Sequence, residues 1–166
     1  MHDVDSASSA QGRASVERGH SALARLAAFV VGFPRAVPDT SVSVKFEASG
    51  GTETWTRTFG DESFSSYQFA GRGRSKGLLC ERFGPLTFAM ALVPEGARLS
   101  LVLRRWSAFG VPLPAWLCPR SNSYETTEGG RFRFHVEIGH PFTGLIIRYI
   151  GWLKVDQRDL AGAKVA

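Results

Sequence analysis

The chain has 166 residues, 43% hydrophobic and 21% charged, which suits one domain with a full core and excludes a disordered or fibrous polypeptide. Its formal charge of +5 comes from arginines spread along the whole length, giving loose attraction to anions but no marked nucleic-acid reading surface. The two cysteines, Cys80 and Cys118, have no CxxC or histidine spacing beside them, so free thiols are expected instead of a zinc site or a disulfide scaffold.

In chain order, residues 1–13 are small and polar without periodicity and read as a mobile tail. Ser21 can cap a helix over roughly 15–31, with Leu23, Leu26, Ala27 and Val30 on one face and Gly32 and Pro34 as the stop. The run from Leu23 to Phe33 is interrupted by Arg25 and spans about half of the roughly 20 residues a bilayer-crossing helix needs. With no signal-like opening either, the chain reads as a cytoplasmic protein without a transmembrane segment.

Val42, Val44, Phe46 and Ala48 then alternate with polar residues, the period of a half-buried strand. Gly50-Gly51 turns into a strand with Trp55, Arg57 and Phe59 on one face, and Gly60-Asp61 turns again into residues 64–69. GRGRSKG, residues 71–77, is a basic hairpin tip before 78–83, since it lacks the strand, turn and helix order of a dinucleotide fingerprint and the ending of a phosphate loop. Residues 86–93 are apolar on both faces, which suggests burial under the helix, and Pro94-Glu95-Gly96 leads into 98–109. Residues 121–127 read as a polar strand. The cleanest alternation follows, Phe132, Phe134, Val136 and Ile138 against Arg131, Arg133, His135 and Glu137, before a last strand over 146–155 and a frayed end at 157–166.

About nine strands with hairpin-length links and no crossover helices predict a mainly β, antiparallel domain over 14–156, either a curled sheet or an up-and-down barrel with one N-terminal amphipathic helix. The alternative is a β-sandwich. Barrel closure would hide exposed strand edges.

The phrases TWTRTF (54–59), CERFGPLTF (80–88), LRRW with GVPLPAWLCP (103–119), and GRFRFHVEI with RYIGWL (130–153) together resemble the bacterial family called domain of unknown function 4166, DUF4166. The resemblance implies a compact accessory domain, found alone or behind NAD(P)-binding modules of the short-chain or saccharopine dehydrogenase kind. It supplies no catalytic residue to carry over.

Strand register places Arg57 beside Trp55 and Phe59, Glu81 beside Leu79 and Phe83, and Arg105 beside Leu99, Leu101 and Leu103. Buried charge persists only when paired, so Glu81 is expected between the arginines as a structural ion network. Alternatively one arginine, Arg105 first, is left to bind a carboxylate or phosphate. A bulge over 104–106 would exchange Arg104 and Arg105. Trp106, Trp116, Tyr149 and Trp152 are candidates for the apolar wall of such a pocket.

His2, His20, His135 and His140 are too scattered for a metal site, and neither GxSxG nor HExxH occurs. The sequence therefore points to a non-catalytic domain holding a small amphipathic or acidic ligand, with no cofactor, metal or specific nucleic acid. Two alternatives stay open: an accessory domain docking on an NAD(P)-dependent oxidoreductase, and a small hydrolase or isomerase built on Glu81, Arg82 and Tyr149. Pairing Glu81 with Glu125 as acid and base depends on a distance that sequence does not give.

Overall fold

The computed structural model describes residues 6–155. Its elements are β1 (Ser6–Arg18), α1 (Ala22–Val31), β2 (Val37–Ser49), β3 (Thr52–Phe59), β4 (Glu62–Ala70), β5 (Leu79–Phe83), β6 (Leu86–Glu95), β7 (Arg98–Ala108), β8 (Val111–Pro112), β9 (Arg120–Ser121), β10 (Ser123–Glu128), β11 (Arg131–His140) and β12 (Gly144–Val155). Sequence neighbours pair antiparallel from β2 to β7 and from β10 to β12, while β1 bridges β12 and β2. Pairing of β10 with β7 completes a ring of ten strands, so the fold is a closed antiparallel barrel and not a sandwich. The short strands β8 and β9 lie off this ring, against β7 and β11.

The opening residues depart from expectation. From Ser6 onward they form β1, a full member of the barrel, while residues 1–5 and the expected frayed end lie outside the described residues. Ala10, Gly12, Ala14 and Val16 do alternate, but with side chains too small to register as a hydrophobic period. Close approach of β1 to β12 demands that smallness. A Cβ added to Gly12 would lie 1.7 Å from the Trp152 carbonyl oxygen, and one added to Gly151 would lie 2.4 Å from that of Arg13.

Helix α1 begins at Ala22, later than expected, because β1 occupies residues up to Arg18. Its stops are as expected: Ser21 Oγ accepts from the Ala24 N–H at 3.1 Å, and Gly32 takes the left-handed conformation with φ of 79°. The buried face is not. Ala24 and Ala28 are fully buried against the barrel end, whereas Leu23, Leu26, Phe29 and Val30 face outward, Phe29 at 80% exposure. A helix lying this close to strand backbone has room for methyl groups only: the Ala24 Cβ is 3.0 Å from where a Cβ on Gly19 would stand. After the helix Phe33 drops into the core, with ring centroids 5.6 Å from Phe64 and 6.2 Å from Phe83.

Strand β6 is not covered by α1, which packs on β12 and β1. Phe88 and Met90 face inward. The outer face of β6 borders a groove walled by residues 110–115, which follow β7.

Candidate binding site in the barrel interior

Three neighbouring strands place Arg57, Ser66 with Gln68, and Glu81 on the inward face, and the register sets them side by side: Trp55 pairs with Ser66, and Gln68 with Glu81. Arg57 Nη1 donates to Ser66 Oγ at 2.7 Å and Nη2 to Glu81 Oε1 at 3.0 Å, while the Ser66 hydroxyl donates to the same Glu81 oxygen at 2.6 Å. All three residues are buried. The guanidinium also lies over the rings of Trp55, 5.0 Å from the centroid, and Phe64, at 5.6 Å. Paired and hydrogen-bonded charge of this kind is what an apolar interior tolerates.

Glu125 of β10 and Tyr149 of β12 complete this polar layer. Burial pushes the Glu125 carboxyl up from its ordinary range, the Arg57 charge pulls it down and the Glu81 charge adds to the rise. Burial likewise pushes the Tyr149 phenol up to about 12, so it keeps its proton at any physiological pH. Trp55 Nε1 is buried without a hydrogen-bond partner. Cavities of about 100 Å³ and about 60 Å³ border the layer, and both are lined by Trp55, Arg57, Glu125 and Tyr149 within otherwise mostly apolar walls.

The larger cavity is also lined by Pro119, Ser121 and Ser123, where the ring is thinnest. There β10 pairs with β7 only from Ser123 to Thr126 against Leu101 to Arg98, although β7 continues to Ala108. Beyond that pairing β9, held on β11, and the segment before it lie against β7.

A family model described as a domain of unknown function, DUF4166, matches residues 1–153. The chain belongs to this family. No curated protein matches it by sequence. Among the described residues no helix of the DUF4166 barrel is long and apolar enough to cross a membrane.

Of the residues singled out from sequence, the DUF4166 barrel brings Arg57, Glu81 and Tyr149 to its interior layer and leaves the rest elsewhere. Arg105 is exposed on the outside, and so is Arg104. The reason is a bulge: Ala89 pairs with Arg105 but Met90 with Leu103, so Arg104 is the extra residue and neither arginine enters the barrel. Trp106 is half-buried, stacked on Phe88 at 6.2 Å, with its N–H donated to the Pro114 carbonyl at 3.0 Å. Trp116 is 69% exposed. Trp152 faces outward beneath Arg131, 4.5 Å from guanidinium to ring centroid. Arg82 also faces outward, over Tyr67.

Sequence reasoning left Trp55, Ser66 and Gln68 out of the site and named Glu125 only as a partner for Glu81 at an unknown distance. Trp55 carried a usable signal, sitting two residues before Arg57 on the same strand face. Glu125 carried none, because β10 alternates only weakly and its inward face is revealed by pairing with Phe134 and Leu99.

Proposed function

We propose that the barrel is a non-catalytic binding module for a compact, mostly apolar molecule bearing one hydrogen-bond acceptor, such as a carbonyl. The observation that carries this reading is the unpartnered Trp55 N–H, buried beside a cavity that also holds Glu125 and Tyr149. Orphaned buried donors cost about 1–3 kcal/mol each, and an acceptor bound there would repay that cost. The Tyr149 phenol keeps its proton, so with the Trp55 N–H the layer offers donors, and its one guanidinium, Arg57, is already engaged. An acidic ligand finds no anchor there, because Arg57 is occupied by Ser66 and Glu81 and Arg105 lies outside.

Native mass spectrometry of protein purified from cells tests this directly: a retained small molecule is expected, and Trp55→Phe should release it while leaving the fold intact. A protein that carries nothing, and that no carbonyl-bearing apolar compound stabilises against heat, would overturn the reading.

A second reading is favoured by the helix-bearing end. Leu23, Leu26, Phe29 and Val30 are exposed there together with Phe109 and Phe142, more contiguous apolar side chain than a solitary domain usually leaves in water. This supports an accessory domain that docks on a partner, of which an NAD(P)-dependent oxidoreductase is the candidate. Co-purification with such an enzyme, lost in Leu26→Gln/Phe29→Gln, would establish it; retention of the partner by that double variant would exclude this surface.

A further inference from the structure

A groove of about 370 Å³ lies on the outer surface of β5, β6 and β7, separate from the interior layer. Its floor includes Cys80, Thr87 and Ala89, and its wall is the segment after β7. That wall is pinned to the barrel by the Leu113 N–H donating to the Trp106 carbonyl at 3.1 Å and by the Trp106 indole donating to Pro114. The groove is thus a shaped feature held by the strand it covers.

Its charge is one-sided. Arg74, Arg104 and Arg105 line it, and no carboxylate does. Among the described residues none of the three forms a salt bridge, as is also true of Arg18, Arg25 and Arg120; what sets the three apart is that they share one concavity. The hydroxyls of Ser75, Thr87 and Ser107 line the same space. The β7 bulge is what makes this possible. Strict alternation would send one of two adjacent arginines into the barrel, whereas the extra residue leaves both outside.

Guanidinium groups gathered in a concavity without counter-charge repel one another and focus a positive potential that an oxyanion relieves. A dianion with three acceptor oxygens relieves it better than a carboxylate, and the planar forks match phosphate oxygens in pairs. Leu113, Pro112 and Ala115 add an apolar flank. We propose that this groove binds the phosphate group of a small phosphate monoester, with the organic part of the ester against that flank.

The test uses phenyl phosphate and inorganic phosphate as probes, followed by calorimetry and by amide chemical shifts on the full chain. Saturable binding is expected, tighter for phenyl phosphate, weakened by salt, and reduced about tenfold by Arg105→Ser and by Arg104→Ser. Both residues are exposed, so the melting temperature should not change. Arg131→Ser, on the outside of β11, and Trp55→Phe, in the interior, should leave binding unchanged, which separates this site from the cavity reading. Three results would each overturn the proposal: absence of saturable binding, indifference to the groove variants, or benzoate binding as tightly as phenyl phosphate. Binding confined to long polyanions such as an oligonucleotide would overturn it as well.

Discussion

Replacing Arg57 with methionine while keeping Glu81 removes the centre of the interior network. The variant loses charged hydrogen bonds of 2.7 Å to Ser66 and 3.0 Å to Glu81 and the cation over Trp55 and Phe64. Methionine fills much of the vacated volume, so the cavity contribution is small. What remains is the Glu81 carboxylate, its side chain 8% exposed, with Ser66 as its one direct hydrogen-bond donor. Breaking a buried ion pair from one side costs about 3–5 kcal/mol, a large share of the roughly 5–15 kcal/mol that holds a domain together. Arg57→Met/Glu81→Leu removes both charges along with their desolvation cost and should recover to within about 1 kcal/mol of the parent protein. Urea unfolding followed by circular dichroism and tryptophan fluorescence gives all four corners of the cycle. A single variant losing under about 1 kcal/mol would mean that the layer is wet. A double variant as unstable as the sum of the singles would mean that the two residues do not act as a pair.

Three further outcomes follow from neighbouring contacts. A carboxyl raised by burial binds its proton more tightly folded than unfolded, so Glu125 takes stability away as pH rises from the ordinary carboxylate range through its own higher value. Urea midpoints should therefore favour Glu125→Gln over the parent at pH 7 and nearly coincide at pH 4, and an equal gap at both would contradict the burial argument. Ser21→Ala removes the cap on Ala24 and the 2.6 Å bond from Ser21 Oγ to the Thr143 carbonyl, costing about 1–2 kcal/mol or several degrees of melting temperature; an unchanged melting curve would refute the tie between helix and β12. Gly12→Ala forces a methyl group onto the Trp152 carbonyl and should cost at least about 3 kcal/mol or prevent folding, and a variant of normal stability would show that β1 does not approach β12 so closely.

The antiparallel barrel was legible because its connections are short and its strands from Val37 onward alternate, and the Arg57–Glu81 pair was legible because two charges sat in apolar registers. What escaped reading did so for identifiable reasons. Strand β1 buries alanine and glycine, whose side chains are too small to mark a face, so the sequence resembled a tail. Helix α1 buries its alanines and shows its leucines, the reverse of the usual amphipathic rule, because the barrel end admits it only at backbone distance. Arg105 of β7 was misplaced because of the bulge, whereas Arg104 lies outside as strict alternation has it. Such a slip reverses inside and outside for every later residue of a strand and leaves no trace in the pattern of side chains.

That slip ties the two surfaces of the wall together. With Arg104 and Arg105 outside, Arg57 is, among the described residues, the one cation that lines the interior layer with the two carboxyls Glu81 and Glu125. Arg57 satisfies Glu81, while burial raises the Glu125 carboxyl from its ordinary range against the pull of the Arg57 charge, and the Glu81 charge adds to the rise. The same extra residue places two uncompensated guanidinium groups over the groove on the opposite face. If the interior takes a neutral acceptor and the exterior an anion, as proposed, the placing of the β7 arginines outside by one backbone irregularity bears on both. Deleting Arg104 should straighten β7 without moving its neighbours to the other face, because Leu103 stays opposite Met90 and Arg105 opposite Ala89. Phosphate binding outside should weaken while the pH dependence of stability stays as in the parent, and undiminished phosphate binding or an altered pH dependence would refute this account of the bulge.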